Sequence, residues 1–288
     1  MMFKRFTDVH EFHDETCDVL MRHEAQNMIL LGNILIGCEG RDKTGWRDPA
    51  NWVMATVSDA RGIVLTALMT PPHNITLYST GNEPRPEALD CLIAGLGDVD
   101  IPGVISDKAL ALAFVEKHTA LKGLSCHTEM KQRIHELEAV NPDIRREGEI
   151  RLVTHGDMHF FPYWLEAFNA AGIYGRTEMN IPLDSQEARY RIDSGKIYIL
   201  EVDGVPVSMA GFTRELPTSI GVAFVYTPPY FRGRGYATSV VAQISQLALD
   251  KGYVKCVLYT DLANPVSNSI YRKIGYVPVC DSLILRFG

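Results

Sequence analysis

The sequence predicts an α+β fold, a mixed, mostly antiparallel sheet flanked by helices, built in two similar halves. Three observations support this prediction. Over residues 197–288, strand-like runs with alternating apolar residues are interspersed with helix-like runs whose apolar residues recur every three to four positions. The same order recurs, more weakly, over residues 1–125. The chain has 288 residues, 46% hydrophobic and 22% charged, which is enough for two globular domains.

The second half begins with strands. Two strand-like runs flank Asp203-Gly204, a dipeptide typical of a tight hairpin. A third run, 219–227, alternates strictly, so one face should carry Ile220, Val222, Phe224 and Tyr226. Pro228-Pro229 then ends strand pairing, because neither residue has an N–H to donate.

The rest of this half alternates helices and strands. We predict a helix after the turn at 232–235, with Val240, Ile244, Leu247 and Ala248 on its buried face, and a strand at 254–260. A short helix at 265–274 and the last strands follow. Upstream, residues 151–172 indicate a strand and a helix capped by Asp157, and another short helix is predicted near 185–193.

The first half gives the same order of elements, as a divergent duplication would, although coincidence between two α+β domains explains it too. The apolar segment 27–38 is predicted to be a buried helix, since it is too short to span a bilayer. We therefore predict domains at 1–125 and 150–288. Residues 126–149 would connect them, with a helix in the first part of the connection.

Composition limits the partners and the location. The net charge of −7 argues against nucleic acid as a partner, and no segment predicts membrane association. The six cysteines are scattered, with no grouping typical of a metal site, so we expect reduced thiols in the core and no bound metal. With no apolar leader at the start, these features predict a cytoplasmic protein.

The stretch Arg-Gly-Arg-Gly-Tyr-Ala at 232–237 lies between a strand and a helix. Glycines before a helix let the backbone curl around an anion, and the free N–H groups of the helix start suit a phosphate or pyrophosphate. The lysine of a nucleotide phosphate loop and the third glycine of a dinucleotide fingerprint are both missing. A plain surface turn with two solvated arginines is the alternative.

This stretch resembles the coenzyme A signature of the GNAT superfamily of N-acetyltransferases, carried here by Arg232, Gly235 and Ala237. A second signature of that family is matched downstream by Asn264, Tyr271, Gly275 and Tyr276. The resemblance covers residues 150–288, most closely a subgroup with an extra N-terminal half. It implies a GNAT-like fold, two such domains in tandem if the first half is a degenerate repeat, and acetyl-CoA as cosubstrate.

The resemblance also implies where acetyl-CoA lies. The cosubstrate would enter a V-shaped opening between the strands at 219–227 and 254–260. The pantetheine arm would pair with the main chain of Val225, Tyr226 and Thr227 and with Asn264, and Asn268 is a further candidate contact. The pyrophosphate would lie against Arg232 and the helix start, formed by Gly233, Arg234, Gly235, Tyr236, Ala237 and Thr238.

The implied reaction moves an acetyl group from the thioester directly to an amine. Tyr271 matches the family's general acid, which would protonate the departing thiolate; packing of a helix against the sheet is the alternative role. No residue matches a family-wide base, and Glu201, Asp261 or a water chain are the candidates.

The first half lacks both signatures, so we expect it to wall the acceptor pocket or to form a subunit contact in a homodimer; a separate fold with its own ligand is the alternative. The acceptor is expected to be a small-molecule or amino-acid-like amine, with contacts from loops such as 173–184. The alternative function is a non-catalytic acyl-CoA sensor or interaction module.

Overall fold

The computed structural model describes residues 1–40, 45–81, 83–170 and 179–288. It divides into two compact units, one made of Met1–Ile134 with Val279–Gly288 and the other of His135–Pro278. Each unit is a mixed α+β structure with a mostly antiparallel set of strands flanked by helices, which confirms the predicted fold class.

The first unit begins with a strand and two helices, continues with three strands, and ends with two helix–strand pairs. Its elements are β1 (Met2–Phe6), α1 (Val9–Met21), α2 (Met28–Glu39), β2 (Val53–Asp59), β3 (Gly62–Met69), β4 (Ile75–Ser79), α3 (Pro86–Leu96), β5 (Gly103–Asp107), α4 (Lys108–Lys122) and β6 (Cys126–Leu137), whose last residues lie in the second unit. Helix α2 is the predicted buried helix.

The second unit has the same order of elements. They are β7 (Glu149–Leu152), α5 (Phe161–Ala170), α6 (Ile181–Asp193), β8 (Ile197–Val202), β9 (Val205–Glu215), β10 (Ser219–Tyr226), α7 (Tyr236–Asp250), β11 (Lys255–Asp261), α8 (Pro265–Ile274) and β12 (Val277–Phe287), most of which lies in the first unit. The predicted hairpin joins β8 to β9, with positive φ angles at Asp203 and Gly204.

Strand pairing is also the same in the two units. Strands β1 to β4 pair antiparallel in sequence order and β5 then pairs parallel to β4. In the second unit β7 to β10 pair antiparallel in order and β11 pairs parallel to β10. The predicted repeat of element order is therefore present. In each unit the parallel pair joins the fourth strand to the fifth.

The prediction for the connecting segment is wrong. Residues 126–137 form β6 rather than a helix, and β6 is hydrogen-bonded to β12 and β11 as its neighbours. Cross-strand ion pairs hold it, one from Arg133 to Asp281 (2.6 Å) and one from Lys255 to Glu136 (3.1 Å). Strand pairing has overridden the helix propensity of the Met, Lys, Gln, Arg and Glu residues in this segment.

The structural partition also differs from the predicted domain boundaries at 125 and 150. Strand β12 follows α8 in the chain, yet Ser282 to Arg286 pair antiparallel with Gly103 to Asp107 of β5. Leu283 and Leu285 belong to the hydrophobic core that α3 and α4 cover. The first unit therefore takes its last sheet strand from the far end of the chain.

Two hydrophobic clusters cover the two faces of the second unit's strands. On one face, Val240, Ile244 and Ala248 of α7 are fully buried, as predicted, with Leu247 partly buried. Full burial of a Val or Ile side chain, as at Val240 and Ile244, contributes roughly 1.5–3 kcal/mol. On the other face, Phe161 and Leu165 of α5 and Ala188 and Ile192 of α6 pack against β8 and β9, with Phe160, Trp164 and Phe168 at the margin.

Two helix starts differ from their predicted positions. Helix α6 begins at Ile181 rather than near residue 185, because Asn180 caps it by accepting the N–H of Leu183 (3.2 Å). Asp157 does not cap α5. It closes a capping box with Thr154 at a short 3₁₀ turn, 155–159, that precedes α5.

The six cysteines are all free thiols. Cys256 is buried, and the other five are half-buried, so the predicted placement in the core holds for Cys256 alone. Burial raises the pKa of the Cys256 thiol to about 12, which keeps it protonated and unreactive at neutral pH.

Gly275, between α8 and β12, offers a test of the fold. Its φ is +121°, and a Cβ there would lie 2.8 Å from the carbonyl oxygen of Ala139. We expect Gly275→Ala to lower the free energy of unfolding by more than about 1 kcal/mol, from backbone strain and the clash together. The control is Gly252→Ala, where φ is +98° but a Cβ has open space. Urea denaturation should show the larger loss for Gly275→Ala, and equal losses would contradict the clash.

Candidate functional site

Strands β10 and β11 pair over only part of their length. The parallel ladder joins Ser219 to Lys255, Ile220 to Cys256 and Gly221 to Val257. Beyond these pairs β10 continues to Tyr226 and β11 to Asp261 without further described pairing between them. Pairing between the two strands therefore ends at Gly221, where the opening is predicted to begin, and the main-chain groups of β10 beyond Gly221 have no described partner in β11.

A bulge redirects β10 beside this opening. Phe224 has a φ of +57°, and the register against β9 gains one residue in β10 between Ala223 and Tyr226. The prediction of one continuous apolar face is consequently wrong: Ile220 and Val222 pack in the cluster under α7, whereas Phe224 and Tyr226 pack on the opposite face. One extra residue in a strand exchanges the faces of all later side chains.

The end of β10 is fixed by side-chain hydrogen bonds. The hydroxyl of Ser208, on β9, donates to the carbonyl oxygen of Tyr226 (3.0 Å) and lies 2.8 Å from the hydroxyl of Thr227. The Nε–H of Arg232 donates to the carbonyl oxygen of Thr227 (2.9 Å). The segment Val225–Thr227, predicted to pair with the pantetheine arm, is thereby held in one conformation at the opening.

The Arg/Gly turn leads from this strand end into α7. Gly233 and Gly235 have φ angles of +77° and +87°, a conformation that favours glycine. Gly235 is the N-cap of α7 and has no side-chain hydrogen bond, and the first turn holds no acidic residue. The N–H groups of Tyr236, Ala237 and Thr238 thus form an uncapped, partially positive helix start of the kind that binds anions.

Two uncompensated cations stand at this helix start. Arg232 and Arg234 are both exposed, and neither forms an ion pair within the described part of the chain. Arg232 also has the positioning role given by its bond to Thr227. The turn combines an uncapped helix end with two left-handed glycines, Gly233 between the two cations and Gly235 after them, which suits an anion better than a plain solvated turn.

The equivalent helix start in the first unit has the opposite character. Helix α3 begins at Pro86, which has no N–H, and Glu87 places a negative charge in the first turn. Arg85, the N-cap residue, is paired with Asp59 (2.7 Å). An anion would find few donors there, as predicted from the absence of the glycine signature.

Asn264 and Asn268 lie where β11 turns into α8. Asn264 caps α8 by accepting the N–H of Ser267 (3.1 Å). Asn268 accepts from the hydroxyl of Thr260 (2.7 Å), and its NH₂ group donates to the carbonyl oxygens of Asp261 and Asn264. Both N–H groups of Asn268 are engaged, so this side chain holds the far wall of the opening in place. Its contact with the cosubstrate stays a prediction, as does that of Asn264.

Tyr271 projects from α8 into the cluster under α7 and is 8% exposed. Its ring meets that of Tyr276 edge-on, with centroids 5.9 Å apart. Burial raises the pKa of the Tyr271 phenol to about 12. At neutral pH this hydroxyl holds its proton, and the side chains of the described residues give it no hydrogen-bond partner.

The two carboxylates considered as general bases have other partners. Glu201 accepts from Arg151 (2.8 Å), which also forms a two-pronged pair with buried Asp157. Asp261 accepts the N–H of Ala263 (2.8 Å) and shapes the turn before α8. The Asp261 contact involves the backbone, whereas the Glu201 contact joins two side chains. Glu201, Asp261 and a water chain stay the predicted candidates for the general base.

The sequence analysis missed Ser208 and the bulge at Phe224. Glycine often signals a bulge, but here an aromatic residue takes the positive φ, so no signal was available. The predicted acceptor loop, 173–184, falls partly outside the described residues. Among the described residues there is no group of three or more His, Cys, Asp or Glu that could hold a metal ion, and no helix long and apolar enough to cross a membrane.

Comparison with known structures shows the fold. The chain is similar to a Drosophila protein (TM-score 0.66, 13% identity, 99% of this chain and 98% of that one covered). It is also similar to a GCN5-related N-acetyltransferase from Sphaerobacter thermophilus (TM-score 0.60, 14% identity, 99% of this chain and 95% of that one covered). A third similar structure is a GNAT-family acetyltransferase from Colwellia psychrerythraea (TM-score 0.55, 11% identity, 100% of this chain and 99% of that one covered). These likenesses extend over both units.

Comparison with curated proteins finds no match. The sequence does match the family model described as the acetyltransferase (GNAT) family, over residues 161–276. This range contains the opening, the Arg/Gly turn, α7 and α8. Residues 161–276 of the chain therefore form a domain of the GNAT acetyltransferase family.

Proposed function

We propose that the chain is an acetyl-CoA-dependent N-acetyltransferase that moves the acetyl group directly to the amine of a small-molecule or amino-acid-like acceptor. One observation carries the proposal: the end of β10 that is not paired with β11 runs into the uncapped start of α7, beside two arginines that have no carboxylate partner among the described residues. An extended arm that ends in a pyrophosphate fits these two adjoining features in order.

In this proposal the main chain of Val225–Thr227 pairs with the pantetheine arm as an added strand. The pyrophosphate lies on the N–H groups from Gly233 to Thr238, with Arg232 and Arg234 beside it. The thioester then lies further into the opening, toward Tyr271. Rigid placement by Ser208 and Arg232 lowers the entropy cost of binding.

The reaction needs a neutral amine, because only its lone pair can attack the thioester carbonyl. The C–N bond forms and the C–S bond breaks, and the amine proton leaves to water. Tyr271 donates a hydrogen bond to the departing sulfur. The sulfur then gains its proton either from Tyr271 or from solvent. The free thiols fit a reducing compartment, and we propose a cytoplasmic location on that ground.

A screen of primary amines with acetyl-CoA, monitored by release of free thiol, tests this function. We expect thiol release above the rate of acetyl-CoA hydrolysis for at least one class of amine, together with an acetylated product by mass spectrometry. Stabilisation by acetyl-CoA in thermal unfolding should accompany it, because the ligand binds the folded state.

The non-catalytic sensor is the second candidate, and one observation favours it: the carboxylates of Glu201 and Asp261 are both held in other contacts. A sensor would show the thermal stabilisation without amine-dependent thiol release. That outcome would contradict the proposed acetyl transfer and leave coenzyme A binding intact.

A further inference from the structure

Arg191, on α6, lies against the bulge of β10. The central carbon of its guanidinium is 4.7 Å from the ring centroid of Phe224. Phe224 faces the side of the strands that α5 and α6 cover, opposite α7, and it lies beyond the last paired residues of β10 and β11. Arg191 therefore stands at the opening, on the face away from the proposed pyrophosphate site.

The guanidinium of Arg191 is only partly satisfied. Its Nε atom is buried and has no hydrogen-bond partner among the residues that the structure describes. Its one ion pair within the described residues joins Nη2 to Glu187 at 3.3 Å, and both side chains are about one-third exposed. A buried guanidinium N–H without an acceptor is costly, and native proteins rarely leave such a group unpaired unless a ligand or water takes it.

The surroundings suit an organic anion better than water alone. Phe224 holds the guanidinium plane by a cation–π contact, and the aromatic rings of Trp164 and Tyr226 lie next to each other on the same face (6.1 Å between centroids). The buried carboxyl groups of Glu166 on α5 and Asp184 on α6 have interactions of their own. Arg191 thus offers a fork of N–H donors beside apolar rings, an arrangement that recognises a carboxylate.

We propose that Arg191 binds the carboxylate of the acceptor, and that the acceptor is an amine of the amino-acid class. This inference rests on the proposed function and names its substrate class. With its carboxylate on Arg191, the acceptor would present its amine to the opening where β10 and β11 separate. The amine and the thioester would then approach from opposite faces of the strands.

The test uses pairs of amines in which one member carries a carboxylate and the other lacks it. Suitable pairs are leucine with isopentylamine and phenylalanine with phenethylamine. For the wild-type protein we expect kcat/KM to be higher for the amino acid by on the order of 10- to 100-fold. Arg191→Gln should lower the value for the amino acid by a similar factor and leave that of the decarboxylated amine unchanged. Arg191→Lys should recover only part of the loss, because an ammonium cannot form the two-pronged bond.

Arg189→Gln is the matched control, since Arg189 is an exposed residue on the same helix, and both substrates should be unaffected. Thermal stabilisation of Arg191→Gln by acetyl-CoA should equal that of the wild type, which shows a folded protein with intact cosubstrate binding. Equal use of both amines, unchanged in Arg191→Gln, would overturn the inference and leave acetyl transfer standing. If no amine gives thiol release, the result contradicts acetyl transfer itself and therefore also this inference.

Discussion

Tyr271→Phe is expected to lower the turnover of acetyl transfer on the order of 10²-fold while coenzyme A affinity changes little. The substitution removes the hydroxyl and keeps the ring that packs beside Tyr276. With its pKa raised to about 12, the phenol is a weaker acid than an ordinary thiol, whose pKa is about 8.5. We therefore expect Tyr271 to act by a hydrogen bond to the developing thiolate, and solvent to complete the protonation.

The measurement is kcat and KM for an amine found in the thiol-release screen, with coenzyme A affinity by calorimetry. Tyr276→Phe is the matched control: its hydroxyl pairs with Ser245 (2.8 Å) inside the same cluster. Loss of that bond should cost stability of about 1 kcal/mol and leave turnover unchanged. A folded Tyr271→Phe protein with full turnover would remove this residue from the mechanism. Failure of Tyr271→Phe to fold would instead support the packing role.

The double change Arg232→Glu and Arg234→Glu is expected to abolish most of the thermal stabilisation by coenzyme A. At a ligand concentration about 100 times Kd, the wild type should gain about 2.7 kcal/mol. Two negative charges at the start of α7 would repel the pyrophosphate that the positive helix end attracts, and the Arg232 bond to Thr227 would be lost as well.

The single variants separate these two effects. Arg234→Gln removes only a charge, so its loss of affinity should shrink as salt is raised. Arg232→Gln also releases the end of β10, and its loss should persist at high salt. Arg189→Glu, remote from the turn on α6, should keep the full stabilisation. An undiminished shift in the double variant would refute the anion site.

The sequence predicted those parts of the site that depend on local backbone chemistry. Gly233 and Gly235 are needed for positive φ, and Asn264 is a good helix cap, so a short window contains the whole signal. The hairpin at Asp203-Gly204 was predictable for the same reason. Helix α7 followed from apolar periodicity.

The parts that failed depend on partners distant in the chain. Strand β6 contains good helix formers, and its main-chain pairing with the neighbouring strands β12 and β11 makes it a strand. The bulge at Phe224 arises from register against β9, which no local pattern encodes. The contact of Arg191 with the ring of Phe224 depends on this bulge, so no local pattern around residue 191 indicates it.

The order in which the chain is synthesised gives the placement of β12 a consequence. Unit 1 is translated first, but β5 finds its antiparallel partner only in residues 282–286, which leave the ribosome after the whole of unit 2. Until then the outer edge of β5 lacks this partner, and the core lacks Leu283 and Leu285. The nascent protein therefore cannot mature domain by domain from its N-terminus, as tandem domains generally do. Unit 1, which is translated first, is therefore the last to complete its sheet and its hydrophobic core.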